Sequence, residues 1–367
     1  MEHNMLTLDF WQDTVTYEGN SMPTGTMGCE ALNIPDTILA QLNTLCEPLT
    51  RFVAAMGSNS YDAPQLEQAG KTAVQILELL QNVPPFSRLD TEFYKSGILD
   101  AFTPEGLQNL QEYILAMMMG TFSPEQTEQY REGILIARLT PVLANLSYSL
   151  NEYQETMRSF AETMDVDSAD RSLDGLAKLF GENFPPEFTL SSGASWMSLT
   201  NITVQYLSTI RPDCDMPMLV KRMHYVSFVG MLRSDSFEGL CVGHAPKKCP
   251  ICGKWFLTTN ARHTKYCGDP APGDRLHRTC RQIGNLRGRE QRELAADHPL
   301  KQIYERRLNT INRYVKRGTL DAETAKRMKK LAKDKMLRAI SDVNYAKGSY
   351  EQEMEQDALL TAVAAKK

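Results

Sequence analysis

The stretch Cys249-Pro250-Ile251-Cys252-Gly253-Lys254-Trp255-Phe256, with the later pairs Tyr266-Cys267 and Thr279-Cys280, contains four of the eight cysteines within 32 residues. Two cysteines separated by two residues can direct both sulfurs at a point about 2.3 Å away, and a following glycine allows a tight turn. A second pair can reach the same point from a strand end and a helix start. This pattern predicts a small zinc-finger module built around one structural Zn²⁺.

Four thiolates in a tetrahedral shell suit Zn²⁺ and leave no position for water, which favours a structural role over a catalytic one. The expected ligands are Cys249, Cys252, Cys267 and Cys280. Because the module has few large apolar residues, we expect its folding to depend on the metal. Three alternatives remain open: His263 or His277 in place of one cysteine, a redox Cys-x-x-Cys pair, and an iron–sulfur cluster.

The charge of the chain changes sign along its length. Residues 1–244 carry 13 Lys and Arg against 31 Asp and Glu, a net charge of −18. Residues 245–341 carry 24 against 9, a net charge of +15, and the whole chain has a net charge of −5. Such asymmetry indicates either that the basic part binds a polyanion or that the two parts neutralise each other.

The basic residues of the module are candidates for nucleic-acid binding, because arginines on a zinc-pinned helix can contact phosphates. They are Lys247, Lys248, Lys254, Arg262, Lys265, Arg278, Arg281, Arg287, Arg289 and Arg292. The partner would be DNA or RNA, bound through residues 245–341, and the acidic N-terminal domain could bind a protein. A solvated basic face is the simpler explanation of the same charges. The sequence shows no helix-turn-helix and no tandem array of zinc fingers, so it does not predict base-specific recognition.

Helical patterns dominate the N-terminal part. A short hairpin with Gln12-Asp13 at its turn is predicted over Met5–Glu18. Amphipathic helices follow at residues 38–52 and 66–80, and capping sequences begin two more at Thr103-Pro104 and Ser123-Pro124. We expect the last of these to run to Met164 with a bend at Pro141, one or two strands between residues 187 and 208, and a helix over Met218–Leu240.

The predicted fold class is mainly α with small β elements (α+β). We expect a helical N-terminal domain at 1–244, the zinc-finger module at 245–295, a basic helical hairpin at 296–345 and an acidic, partly disordered tail at 346–367. Apolar residues from Leu300 to Val315 and from Ala325 to Ile340 mark the two helices of the hairpin.

Several functional classes are disfavoured. No apolar run reaches the roughly 20 residues that a bilayer requires, and no secretory signal is visible, so we expect no membrane association and a cytoplasmic location. Gly70-Lys71-Thr72 lacks the first glycine of a phosphate-binding loop, because Gln65 is in its place. No His-Glu-x-x-His or His-x-Glu motif occurs. We therefore expect no enzymatic activity.

The run Ala245–Phe256, with Tyr266-Cys267 and Arg278-Thr279-Cys280-Arg281, resembles a family of uncharacterised bacterial proteins known only as a domain of unknown function. It is more distantly similar to the CGNR-type zinc finger, although Arg281-Gln282-Ile283 follows Cys280 where that finger has Gly-Asn-Arg. The second resemblance implies the same four cysteine ligands, a helical domain before the finger, and DNA binding in transcription regulators.

Two functional hypotheses follow. The first is a zinc-binding bacterial regulator or accessory factor that contacts nucleic acid through its basic module. The second is a protein-interaction module whose zinc site is purely structural.

Overall fold

The computed structural model describes residues 5–57, 61–166, 169–184, 202–210, 216–260, 264–292 and 298–364. The chain divides into two compact units, Met1–Gly268 and Asp269–Lys367. The boundary falls within residues 245–295, for which the sequence predicts a single module. The fold class is confirmed as mainly α with small β elements.

Local sequence signals begin several helices of the first unit. Asp62 and Gln65 form a capping box ahead of the helix Ala63–Leu80, and the Thr103 hydroxyl accepts a hydrogen bond from the Gly106 amide at the start of the helix Pro104–Met118. Among the described residues the helices are α1 (Thr26–Ala31), α2 (Asp36–Gly57), α3 (Ala63–Leu80), α4 (Thr91–Ala101), α5 (Pro104–Met118), α6 (Arg131–Ala144), α7 (Leu146–Met164), α8 (Leu173–Asn183) and α9 (Phe228–Cys241).

The predicted long helix from Ser123 to Met164 is divided. The Ser123 amide donates to the Gln126 side chain at 2.9 Å, as the capping sequence predicts, but Pro124–Gln126 form only a 3-10 turn. Pro141 lies inside α6, where its missing N–H weakens the helix. The helix breaks at Asn145, and the axes of α6 and α7 are bent by 41° relative to each other.

No single helix in the described ranges has the length and apolar character needed to cross a membrane; α6 and α7 meet that test only as a bent pair, by length and composition.

A five-stranded antiparallel sheet lies beside these helices in the first unit. Its strands are β1 (Thr7–Trp11), β2 (Thr14–Tyr17), β3 (Asn20–Pro23), β4 (Thr203–Ile210) and β5 (Pro217–His224), in the order β3-β2-β1-β5-β4. The hairpin at Gln12-Asp13 is confirmed, and β4 lies within the predicted strand region. The predicted strand around Phe188 lies outside the described residues.

The helix predicted over Met218–Leu240 is wrong in its first third. Residues Pro217–His224 form β5, which pairs with β1 on one side and β4 on the other. Val220 and Met223 are buried by this pairing. Apolar spacing in so short a segment fits a strand or a helix, and contacts distant in sequence decide between them.

The core of the first unit is continuous from the sheet through the helices. Leu8 and Val15 from the sheet, and Leu42, Ile76 and Leu150 from the helices, are fully buried in one hydrophobic cluster. The small two-stranded sheet β6 (Ala245–Lys248) and β7 (Trp255–Thr258) contributes Ala245 and Trp255 to the same cluster.

The second unit is helical and has its own hydrophobic cluster. Among the described residues its helices are α10 (Cys280–Arg292), α11 (Pro299–Lys316), α12 (Ala322–Ser341), α13 (Val343–Lys347), α14 (Tyr350–Glu353) and α15 (Gln356–Ala364). The predicted hairpin corresponds to α11 and α12, joined through Gly318 at a positive φ of 72°.

The acidic tail contains the helices α14 and α15, and its expected partial disorder stays a prediction. Tyr350, Met354 and Leu359 are fully buried against Ile311 and Met328 of the hairpin. Apolar residues at helical spacing therefore give this short segment a face to bury, in spite of its acidic composition.

Candidate metal centre

The Cys249–Gly253 segment forms the tight turn of the β6–β7 hairpin. The Cys249 amide donates to the Lys254 carbonyl and the Gly253 amide donates to the Cys249 carbonyl, each at 2.8 Å. Gly253 has a φ of +73°, a conformation that L side chains rarely adopt. This turn holds both cysteines of the Cys-x-x-Cys pair on the same side of the hairpin end.

Two side chains from distant parts of the first unit fix this hairpin. The Asn33 side chain accepts a hydrogen bond from the Trp255 amide at 2.7 Å and donates one to the Trp255 carbonyl at 2.8 Å. It thus satisfies the same backbone groups that a neighbouring strand would. The buried Arg171 guanidinium donates to the Ala245 and Pro246 carbonyls, each at 3.0 Å, and to the Thr258 hydroxyl at 2.9 Å. The hairpin is thus anchored without any metal.

Cys280 is the first residue of α10, where a capping box fixes it. The Gln282 amide donates to the Thr279 hydroxyl at 3.2 Å, and the Thr279 amide donates to the Gln282 side chain at 2.8 Å. The Cys280 amide donates to the Asp269 carbonyl at 2.9 Å. A helix N-terminus stabilises a thiolate, because its free amides carry partial positive charge.

The sulfurs of Cys249, Cys252, Cys267 and Cys280 all lie within 4.8 Å of one another. The Sγ atoms of Cys252 and Cys267 are 3.6 Å apart, which is too long for a disulfide and close to the separation of about 3.8 Å expected on the edge of a ZnS₄ tetrahedron. Cys249, Cys267 and Cys280 are buried, and Cys252 is partly exposed. The four cysteines can hold a metal ion.

The electrostatics of the turn favour an ionised sulfur. Burial raises the pKa of the Cys249 thiol, but hydrogen bonds from the Cys252, Cys267 and Ile251 amides and from the Cys267 side chain outweigh it and lower the pKa to about 7. Metals bind the thiolate form of cysteine, so this lowering reduces the cost of deprotonation on metal binding.

The alternative ligands have different outcomes. His277 is exposed and is not one of the side chains that meet in the cluster. His263 lies outside the described residues.

The Gly70-Lys71-Thr72 segment, which lacks the first glycine of a phosphate-binding loop, is helical within α3. Lys71 forms an exposed ion pair with Glu67 there, as expected for a surface helix.

The basic candidates fall into three groups. The exposed ones are Lys248, Lys254, Lys265 and Arg281. Lys247 is buried with its Nζ 4.0 Å from Asp165, and Arg278 is bonded to Asp274 at 2.6 Å. Arg262 and the side chains of Arg287, Arg289 and Arg292 lie outside the described residues. The prediction of nucleic-acid binding therefore depends on the four exposed residues and on the four that lie outside the described residues.

Sequence reasoning missed Asn33, Arg171 and a third residue, Asp235. The Asp235 carboxylate is fully buried and accepts from the Gly25 amide at 2.8 Å and the Gly28 amide at 2.9 Å. Their partners in the hairpin and at the start of α1 are 74 to 222 positions away, so no local pattern marks these contacts. Asn33 is a polar residue within the apolar run from Ala31 to Ile34, whereas Arg171 and Asp235 have polar neighbours and carry no such signal.

Comparison with known proteins relates the C-terminal part of the chain to a family. Residues 197–366 match a family described as "Family of unknown function (DUF6076)". This match agrees with the predicted resemblance to an uncharacterised family, and the family's description names no activity. The similarity to the CGNR-type finger stays a prediction. No curated protein and no solved structure matches the chain.

Proposed function

We propose that the four cysteines hold one structural Zn²⁺ and that the basic segment, residues 245–341, binds nucleic acid through its phosphates. Four cysteine sulfurs within 4.8 Å of one another support zinc over metals that prefer oxygen ligands. Four protein ligands complete the shell, which favours a scaffold over a catalytic centre. The metal would hold the turn of the hairpin and the first residue of α10 at one point.

The charge distribution is the single observation that carries the nucleic-acid proposal. Residues 245–341 have a net charge of +15 in a chain of net charge −5. On α12, Lys326, Lys330 and Lys333 are exposed at intervals of four and three, so they share one face of the helix. Like charges at this spacing repel one another, and a polyanion would relieve the repulsion.

A specific observation favours the second hypothesis, a protein-interaction module without nucleic acid. Lys247 is buried beside Asp165, and Arg278 pairs with Asp274, so part of the basic segment is neutralised within the chain. Lys335 likewise pairs with Glu353 in the second unit. If the remaining positive charge only keeps the surface solvated, no polyanion will bind.

Metal content is the first test. Elemental analysis of the purified full chain should find one zinc per chain. The variant Cys280→Ser removes one ligand and should lose most of the metal, whereas Cys241→Ser, an exposed cysteine outside the cluster, should keep it. Iron in place of zinc, or no stoichiometric metal, would refute the zinc proposal.

Nucleic-acid binding is tested by fluorescence titration of the full chain with duplex DNA and with single-stranded RNA. Affinity should fall more than ten-fold between about 50 and 200 mM salt, because each neutralised phosphate releases counterions. The double variant Lys254→Glu/Lys265→Glu should weaken binding. The matched control Lys71→Glu/Lys178→Glu makes the same charge change on exposed lysines of α3 and α8 and should not.

Binding that is absent, or that does not respond to salt, would exclude this function and leave the interaction module. Binding that both double variants weaken equally would show only an effect of total charge.

A further inference from the structure

The four cysteines of the metal centre differ in their access to solvent. Cys249, Cys267 and Cys280 are buried, whereas Cys252 is partly exposed. A cysteine reacts with oxidants as the thiolate, and its susceptibility follows thiolate character and exposure. Metal binding requires all four sulfurs as thiolates, so exposure is the property that distinguishes them. Cys252 is therefore the ligand most open to a small oxidant.

A second sulfur lies within reach of Cys252. The Sγ atom of Cys252 is 3.6 Å from the Sγ atom of Cys267. A disulfide has its sulfurs about 2.05 Å apart, so these two atoms need to approach each other by roughly 1.5 Å. Whether they can do so depends on how firmly the backbone holds each residue.

The backbone constrains these two ligands less than the other two. Cys252 lies in the turn of the β6–β7 hairpin, and Cys267 lies in residues 264–269, which form neither a helix nor a strand. Both backbone groups of Cys249 are hydrogen-bonded within the hairpin. Cys280 is fixed at the start of α10 by the capping box. The approach of the two sulfurs thus requires no change in a regular element.

We propose that a hydroperoxide oxidises Cys252 and Cys267 to a disulfide and that this releases the metal ion. The inference rests on the proposed zinc site and adds a regulation of it. Structural zinc sites have four protein ligands, and a disulfide removes two of them at once. The reacting pair differs from the Cys-x-x-Cys pair of the sequence, Cys249 and Cys252, because Cys249 is buried and held by the hairpin.

Two electrons pass from the sulfurs to the peroxide. The Cys252 thiolate attacks the terminal oxygen of the peroxide and the O–O bond breaks, so that the sulfur becomes a sulfenic acid. The leaving oxygen takes a proton from solvent, which gives water when the oxidant is hydrogen peroxide. The Cys267 thiolate then attacks the Cys252 sulfur, forms the S–S bond and expels hydroxide, which a second proton converts to water. Cys267 needs no contact with solvent for this step.

The surroundings of the centre favour a reversible change. Asn33 and Arg171 hydrogen-bond the backbones of β7 and β6, and neither contact involves a metal ligand side chain. The strands that precede and follow the turn therefore stay in place when the metal leaves. Cys249 and Cys280 remain thiols. A thiol reductant can then open the disulfide by exchange, and added Zn²⁺ can bind again.

Zinc release from the purified full chain, measured with a chromogenic chelator, tests the proposal. Hydrogen peroxide should release one zinc per chain, and peptide mass mapping should find Cys252 linked to Cys267. The variant Cys252→His retains three cysteines and one histidine, a set that also binds zinc, but lacks the reacting sulfur. We expect peroxide to release its zinc about ten-fold more slowly or slower still.

Cys241→Ser is the matched control, because Cys241 is an exposed cysteine outside the cluster. It should release zinc as the unsubstituted chain does. Cys280→His makes the same change of ligand at a buried sulfur and should still form the disulfide, since both reacting thiols remain. The zinc that each variant loses without peroxide is measured in parallel and subtracted.

Three results would overturn this inference and leave the zinc site standing. They are zinc that stays bound in peroxide, zinc that leaves without a disulfide between Cys252 and Cys267, and equal release from Cys252→His and the unsubstituted chain. Should Cys252→His not retain zinc, the disulfide mapped in the unsubstituted chain decides. A chain purified without zinc would refute the proposed zinc site, and this inference with it.

Discussion

At the scale of single residues, buried polar groups hold distant parts of the first unit together. Asp235 on α9 accepts hydrogen bonds from the Gly25 and Gly28 amides at the start of α1, where helix geometry leaves amides without partners. Burial raises the pKa of this carboxyl to about 6, although these amides lower it. The charged form is thus tolerated at neutral pH at a cost in stability.

Replacing Asp235 by asparagine should change how stability depends on pH. The folded carboxyl binds its proton more tightly than the unfolded one, so its stabilising contribution is complete below about pH 4 and is lost as the pH rises through 6. Asp235→Asn cannot titrate. The free energy of unfolding of the unsubstituted chain, relative to the variant, should therefore fall by up to about 3 kcal/mol between pH 4 and 7.

Urea unfolding of both proteins at several pH values, with chelator present so that metal release does not contribute, measures this difference. A difference that stays constant over this range would contradict the prediction. The asparagine oxygen is a weaker acceptor for the two amides than the carboxylate, and it does not titrate, so the variant's own stability carries no pH dependence from this site.

Gly28 is a second residue whose substitution should affect stability, because the structure has no room there for a Cβ atom. A Cβ added there would lie 1.9 Å from the Ser236 hydroxyl and 2.5 Å from the Tyr153 hydroxyl, which are hydrogen-bonded to each other at 2.7 Å. We expect Gly28→Ala to destabilise the first unit by about 1–3 kcal/mol or more through overpacking.

Gly181 in α8 provides the control for this substitution, since nothing lies within 4 Å of a Cβ added there. Gly181→Ala should be neutral or stabilising by up to about 1 kcal/mol, because alanine favours the helix. Thermal unfolding of the two variants side by side measures the difference. Equal effects would show that packing around α1 is looser than the structure indicates.

At the scale of elements, the β6–β7 hairpin depends on the helical core as well as on the cysteines. Trp255 is buried in that core, and Asn33 and Arg171 bond the backbone of the hairpin. The sequence predicts a module that folds only with metal. The structure instead gives the two strands anchors other than the cysteines, so we expect a metal to organise chiefly the turn and the residues that lead to Cys280.

Arg171→Met should make the hairpin dependent on the metal. The substitution removes the guanidinium donor of the Met164, Ala245 and Pro246 carbonyls, at about 1–3 kcal/mol for each buried group left unsatisfied; the Ala245 carbonyl still accepts from the Thr258 hydroxyl. Hydrogen exchange should show that chelator leaves β6 and β7 protected in the unsubstituted chain and exposes them in the variant. Loss of protection in both proteins would mean that the metal alone holds the strands.

How much the sequence predicts depends on how local each signal is. The capping sequence Thr103-Pro104 acts over three positions, and the start of α5 agrees with expectation. The four cysteines are visible in the sequence because metal-binding cysteines cluster at short, characteristic spacings. By contrast, β5 pairs with β1 more than 200 residues away, and nothing near Met218 signals that pairing.

At the scale of the whole molecule, charge and packing divide the chain at different places. The charge changes sign near residue 245, whereas the boundary between the compact units follows Gly268. The first unit therefore includes the β6–β7 hairpin with three of the four cysteines, and the second begins before Cys280. The hydrophobic clusters of the two units share no described residue.

Separate clusters predict separate unfolding. Met328 is fully buried in the cluster of the second unit and Leu77 in that of the first, so replacing either by alanine should cost about 2–5 kcal/mol locally. Hydrogen exchange of the full chain should show Met328→Ala reducing protection in α11, α12 and α15 while α2, α3 and α7 remain unchanged. Leu77→Ala should give the reverse pattern. If either substitution reduced protection equally in both sets of helices, the two clusters would belong to one cooperative fold, and the division of the chain after Gly268 would have no energetic meaning.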